Sequence, residues 1–194
     1  MENYLRNFQF LTDADIEALN AVRRLRMLNK GDYLIKAGRI STEVAFVRQG
    51  LLRSYYIKDN GEEITYCFTF EDNFMTAYSS LITGQPTYEN IQALVPTELW
   101  ILQKSDMESL GKKYPNWVLF QKYMAEQQYI DLETRFFSFQ KEKASERYQE
   151  LLQSHPRYFQ QIPLQHLASY LGISQRHLTR IRREISLQYR TNVL

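Results

Sequence analysis

Between Leu164 and Arg183 the chain reads LQHLASYLGISQRHLTRIRR, and four of its last eight residues, Arg176, Arg180, Arg182 and Arg183, are arginines. Wound as a helix from Gln175, this stretch places Gln175, Arg176, Thr179, Arg180 and Arg183 on one outward face. All five carry hydrogen-bond donors suited to base edges or phosphates, and an arginine fork can take guanine O6 and N7 together. Glu184 falls just past that face, so no carboxylate interrupts it. The competing reading is an ordinary helical hairpin with a solvated basic side.

Such a face works only if something holds the helix rigidly. Leu164–Leu171 reads as a first helix, Gly172-Ile173-Ser174 as a turn and Gln175–Arg183 as a second helix, the pattern of a helix-turn-helix. Ala168 is small where two such helices cross, and Gly172 tolerates the positive φ of the turn. Leu167, Leu171, Ile173, Leu178 and Ile181 supply the inward side, and Ser174 is placed to cap the second helix. His166 is expected on the exposed side of the first helix, and His177 to be partly packed. Charge is partitioned accordingly. The whole chain carries +2, but residues 141–194 hold nine basic and four acidic groups, leaving the first 140 residues at −3. A basic end on a near-neutral body suits a polyanionic partner.

The elements before it change period twice. Thr12 and Asp15 form a capping signal for a helix over 12–21 with Ile16 and Leu19 on one face. From Val22 to Leu102, short β-branched and aromatic runs alternate with turn signals, among them Asp59-Asn60-Gly61 between two alternating segments. One of these puts Leu52, Ser54 and Tyr56 on one face and Arg53, Tyr55 and Ile57 on the other. Runs at 90–95 and 98–102 follow, which favours an antiparallel barrel or jelly roll. A helix is expected over 116–138, where Trp117, Phe120, Met124, Gln127, Ile130, Thr134 and Phe137 form a heptad-like stripe. One small barrel cannot cover so long a stripe, so a second copy is expected against it. Lys141–Ser145 is the expected hinge. The fold class is therefore α+β: a sensor β-roll over 1–114, a dimerisation helix over 115–140 and a helix-turn-helix domain over 141–194.

Lys30-Gly31-Asp32, the run 47–53 (VRQGLLR), the hairpin 59–63 (DNGEE) and the stretch 164–183 together resemble the Crp/Fnr family of transcription regulators. The resemblance spans nearly the whole chain. It implies a cyclic-nucleotide-binding-like β-roll, a homodimer and a winged helix-turn-helix reading double-stranded DNA in the cytoplasm, with RNA polymerase a candidate partner. By position it assigns base contacts to Gln175, Arg176 and Arg180, and phosphate contacts to Ser174 and Thr179. Any wing must precede the motif, near 158–161.

The effector is a different matter. The family's Gly-Glu-Leu and Arg-Ser/Thr-Ala segments correspond here to Ala77-Tyr78-Ser79 and Tyr88-Glu89-Asn90, which match neither. From Asp59 to Gln103 there are seven acids and no Lys or Arg. Losing one buried charge-assisted phosphate contact costs about 2–5 kcal/mol, so cyclic AMP is not the expected effector. Tyr78, Ser79, Ser80, Tyr88 and Asn90 remain to line a neutral, partly aromatic pocket, or simply to pack. All three histidines lie in the C-terminal part, which leaves the roll no histidine for a metal or haem. Cys67 is expected to pack within a strand. No enzyme, metal or cofactor is expected, nor a membrane span. The alternative function is a ligand- or partner-sensing module that binds no DNA.

Overall fold

The computed structural model describes residues 1–156 and 160–191. Helix α1 (Glu2–Leu5) precedes α2 (Asp13–Val22). The Thr12 hydroxyl accepts the Asp15 N–H at 3.2 Å while the Asp15 carboxylate accepts the Thr12 N–H at 2.8 Å. Two amides with no partner inside the helix are thereby satisfied reciprocally, and Ile16 and Leu19 turn inward.

Strands β1 (Arg24–Leu28), β2 (Tyr33–Ile35), β3 (Glu43–Gln49), β4 (Leu52–Ile57), β5 (Glu63–Thr69) and β6 (Phe74–Met75) follow, then α3 (Tyr78–Thr83), β7 (Glu89–Ala93) and β8 (Thr97–Gln103). They pair antiparallel into two four-stranded sheets, ordered β1-β8-β3-β6 and β2-β7-β4-β5. The expected barrel is not closed. Its outer strands β2 and β6, three and two residues long, are too short to run from one sheet into the other. Two sheets facing each other bury one side of each strand instead.

The alternation in β4 runs as its sequence requires. Leu52, Ser54 and Tyr56 lie opposite Ala93, Ile91 and Glu89 of β7, and Leu52, Ile91 and Ala93 join Val47, Leu99 and Ile101 between the sheets. On the other side of β4 Arg53 and Tyr55 are buried too, while Ile57 at its end is exposed. Gly50 carries the turn into β4 at φ 110°, where an added Cβ would sit 2.8 Å from the Thr97 Cα.

Helices α4 (Lys104–Lys113), α5 (Pro115–Lys141), α6 (Ala144–Ser154) and α7 (Leu164–Tyr170) follow, with α8 (Gln175–Thr191) after the turn. Pro115 opens α5, where its missing N–H costs nothing. A second cluster packs α2, α4 and the start of α5 together through Leu19, Leu110, Trp117 and Phe120. A third joins Leu51, Phe68, Phe70 and Leu94 of the sheets to Tyr148, Leu167, Leu171, Leu178 and Ile181 of the last helices. The boundary expected at residue 141 is thus crossed by a continuous apolar cluster. The wing expected near 158–161 falls partly on Tyr158 and Phe159, which lie outside the described residues.

Candidate nucleic-acid interface and sensor cavities

Helices α7 and α8 meet through a four-residue connection. Gly172 takes φ 69° there, and a Cβ would approach the Phe139 ring to 2.9 Å, so both the backbone and the close contact call for glycine. Leu167, Ala168, Leu171, Leu178 and Ile181 are each 3% exposed or less. The Ser174 hydroxyl accepts the His177 N–H at 3.2 Å, capping α8. With its inner side sealed, α8 presents Gln175, Arg176, Thr179, Arg180 and Arg183, all exposed, as does Ser174 before them. Thr179 donates to the Gln175 carbonyl at 2.9 Å. Arg180 approaches the Glu184 carboxylate only to 3.8 Å, and both side chains are more than half exposed, a pairing weak enough to exchange for another anion.

The sheet holds α7 from behind. Ser169 Oγ accepts the Thr65 N–H at 2.9 Å and donates to the Glu63 carbonyl at 3.1 Å. Beneath it Arg53 is 1% exposed; it donates to Thr65 Oγ1 at 2.8 Å and Glu63 Oε2 at 2.7 Å and lies 4.0 Å from the Tyr55 ring centre. His166 is half-buried beside this group rather than on the exposed side of the helix, contrary to expectation. Burial, with the Arg53 charge adding to it, pushes its pKa down to about 4, so the imidazole is neutral at neutral pH. From the other side Arg135 donates to the Tyr170 carbonyl and Arg147 to that of Leu171, each at 3.0 Å. His177 is half-buried, as expected.

Helix α5 divides the predicted stripe. Trp117 and Phe120 are buried in their own chain and Met124 and Gln127 half-buried, whereas Ile130, Thr134 and Phe137 are exposed. The stripe's spacing is shorter than the 3.6 residues of a helical turn, so it winds round the helix and leaves the chain's own core. Leu119, Leu132 and Phe136 are each more than half exposed as well.

The residues expected to line an effector pocket do not converge. Ser80 and Asn90 are buried and serve backbone: Ser80 Oγ accepts from the Ser41 N–H at 2.9 Å, and Asn90 Oδ1 from the Ala37 N–H at 3.1 Å. Ser79 is exposed. Tyr78 borders a separate groove along α5, and Tyr88 is 74% exposed beside Tyr56. A cavity of about 400 Å³ lies instead among Tyr33, Lys36, Arg39, Ser41, Thr76 and Ala77. Its two cations, Lys36 and Arg39, stand outside the base-free stretch 59–103. Glu89 lies on the inter-sheet side of β7 with Ile91 and Ala93. It is 8% exposed, its Oε2 has no hydrogen-bond partner among the described residues, and burial raises its pKa to about 7. Its alternation with Ile91 and Ala93 was the signal available in the sequence. Cys67 sits in β5, and burial pushes its thiol pKa up.

Comparison with known proteins agrees with the fold. Residues 25–114 match the family described as the cyclic nucleotide-binding domain. Solved structures extend the likeness along the chain. FixK2 from Bradyrhizobium japonicum superposes with a TM-score of 0.76 at 16% identity, over 86% of each chain. A transcriptional regulator assigned to the crp/fnr family from Eubacterium rectale gives 0.71 at 19%, covering 96% of this chain and 88% of its own. The c-di-GMP responsive global regulator CLP of Xanthomonas campestris gives 0.71 at 13%, over 91% and 93%. At these identities the likeness is one of fold. No curated protein sequence matches the chain. Among the described residues no helix is long and apolar enough to cross a membrane.

Proposed function

We propose that the chain is a homodimeric, sequence-specific DNA-binding transcription regulator of Crp/Fnr type, working in the cytoplasm with RNA polymerase as its eventual partner. The observation that carries this reading is the α8 face: five exposed donor side chains on a helix whose opposite side is sealed and whose start is capped. The fold it shares with solved transcription regulators supports the assignment. Ser174, Gln175, Arg176, Thr179, Arg180 and Arg183 form the reading surface. Gln175, Arg176 and Arg180 address base edges, and Ser174 and Thr179 phosphates.

Duplex DNA binding followed by fluorescence anisotropy across a salt series tests it. Affinity is expected to fall steeply and log-linearly with salt, because phosphate contacts release counterions. A chain that binds no duplex at low salt is a partner-docking module instead.

The regulator's effector is not a cyclic nucleotide held in the family's manner. No base occupies the phosphate position, and the buried carboxyl of Glu89 lies in that segment. Calorimetry with cyclic AMP is expected to give dissociation constants no tighter than about 0.1 mM. A micromolar isotherm abolished by Arg39→Ala or Lys36→Ala would contradict this and place the phosphate on the cations of the neighbouring cavity.

A further inference from the structure

Between the sheets and the long helix runs a groove of about 350 Å³, bounded by β6, α3, α4 and α5. That volume lies at the lower end of the range for small-molecule sites. Leu102, Leu110, Trp117 and Phe120, all buried, form its floor, and Met75, Met107 and Met124 its walls. Thioether side chains adapt readily to the outline of an apolar guest. One cation, Lys104, and one carboxylate, the exposed Glu108, border this apolar space. Lys104 Nζ donates to the Leu81 carbonyl at 2.6 Å, which leaves two ammonium protons. Among the described residues no carboxylate pairs with it. Lys104 is half-buried, so an anion beside it would be less screened than at an open surface.

We propose that this groove is the effector site of the regulator described above, and that it takes an amphipathic small molecule with an apolar body and one anionic head, a medium-chain carboxylate being the simplest. The body lies against Trp117, Phe120 and Met124, and the head meets Lys104. A second copy of the chain is the other conceivable occupant, but the helix geometry argues against it. At 3.6 residues per turn, the groove positions Gln121, Met124, Ala125 and Gln128 lie nearly opposite the uncovered apolar residues Leu119, Tyr123, Ile130 and Phe137, whereas Leu132, Phe136 and Phe139, also uncovered, continue the groove's side of the helix beyond its last lining residue. A copy seated on Leu119, Tyr123, Ile130 and Phe137 leaves the groove open. An occupant would set the distance of α5 from β6 and α3. The far end of α5 holds the last helices through Arg135 and the Tyr170 carbonyl, which gives the site a route to the DNA-reading face.

Calorimetry on the full chain tests this without DNA, using decanoate, decanol and decylamine below their micelle concentrations. Decanoate is expected to bind once per chain, about tenfold or more tighter than decanol, since a charge-assisted contact distinguishes them, with decylamine weakest. Lys104→Met should abolish the preference for decanoate and leave decanol unchanged. Gln121→Trp, at the exposed rim, should block both while circular dichroism stays unaltered. Equal binding of the three probes, an unaffected Lys104→Met variant or the absence of any isotherm would overturn the proposal. So would a Gln121→Trp variant that alters only the dimer equilibrium, which would assign the groove to a second copy. A chain that binds decanoate but no duplex would refute the regulator reading and leave the ligand site standing.

Discussion

Glu89 is buried and His166 half-buried, at two different junctions, and burial disfavours the charged form of each. The Glu89 carboxyl is raised to about 7 by burial, so between the ordinary carboxylate range and neutrality the folded chain keeps a proton that the unfolded chain gives up. Its contribution to stability is therefore full at low pH and declines as pH rises through 7. His166 works in the opposite sense. With its pKa lowered to about 4, it loses stability as pH falls from near 6.5 toward 4, because the unfolded imidazole takes up the proton first. Glu89→Gln isolates the first effect. The variant should melt several degrees above the parent at pH 8 and close to it at pH 5, in thermal unfolding followed by circular dichroism. An unchanged difference between the two pH values would show that Glu89 is solvated and ionised in the fold. Arg53 completes the residue-scale picture: a buried guanidinium satisfied by Thr65, Glu63 and Tyr55 stiffens the patch of β4 and β5 on which α7 rests.

Among the elements, α5 carries the most consequence, since it borders the groove on one side and leaves an apolar seam bare on the other. Ile130→Glu is expected to shift a dimer toward monomer and weaken DNA binding with it, read by sedimentation velocity and anisotropy on the same preparation. Met124→Glu is a poorer probe, because Met124 is half-buried and accepts a hydrogen bond from the Tyr4 hydroxyl at 3.6 Å. A wild-type chain that sediments as a monomer at tens of micromolar, well above a dimer dissociation constant of order 1 μM, would contradict the assignment of the seam. Much of this scale is legible in the sequence. The Thr12–Asp15 cap, the Asp59–Gly61 hairpin, the alternation of β4 and the Gly172 turn all rest on interactions local in the chain. What is not legible depends on docking. Ser169 looks like an idle polar residue until β5 brings the Thr65 N–H to it. His166 reads as solvent-facing because nothing nearby in sequence announces the Arg53–Glu63 pair, and Tyr78 and Tyr88 read as pocket residues because their distance from Ser80 and Asn90 is set by the packing of α3. The barrel that the strand spacing suggests stays open because spacing does not report how short the outer strands are.

At the scale of the whole molecule, the C-terminal helices share an apolar cluster with the sheets while turning the α8 face to solvent. Ligand groove, seam and reading face are thereby linked through α5 and the backs of α6 and α7. A dimer built on the seam would present two α8 helices to two half-sites. In the proposed regulator the basic excess of residues 141–194 would supply attraction to any duplex, and selection among duplexes would come from Gln175, Arg176 and Arg180. Repeated selection of bound sites from a random duplex library at near-physiological salt tests that claim most directly. The expected result is enrichment of a two-fold related site with half-sites about 10 bp apart. In Arg180→Ala, preference should relax at one position in each half-site, and binding to the parent site should weaken by about 1–3 kcal/mol per lost contact. A library that emerges without enrichment, or an Arg180→Ala variant weakened equally on every sequence, would contradict it.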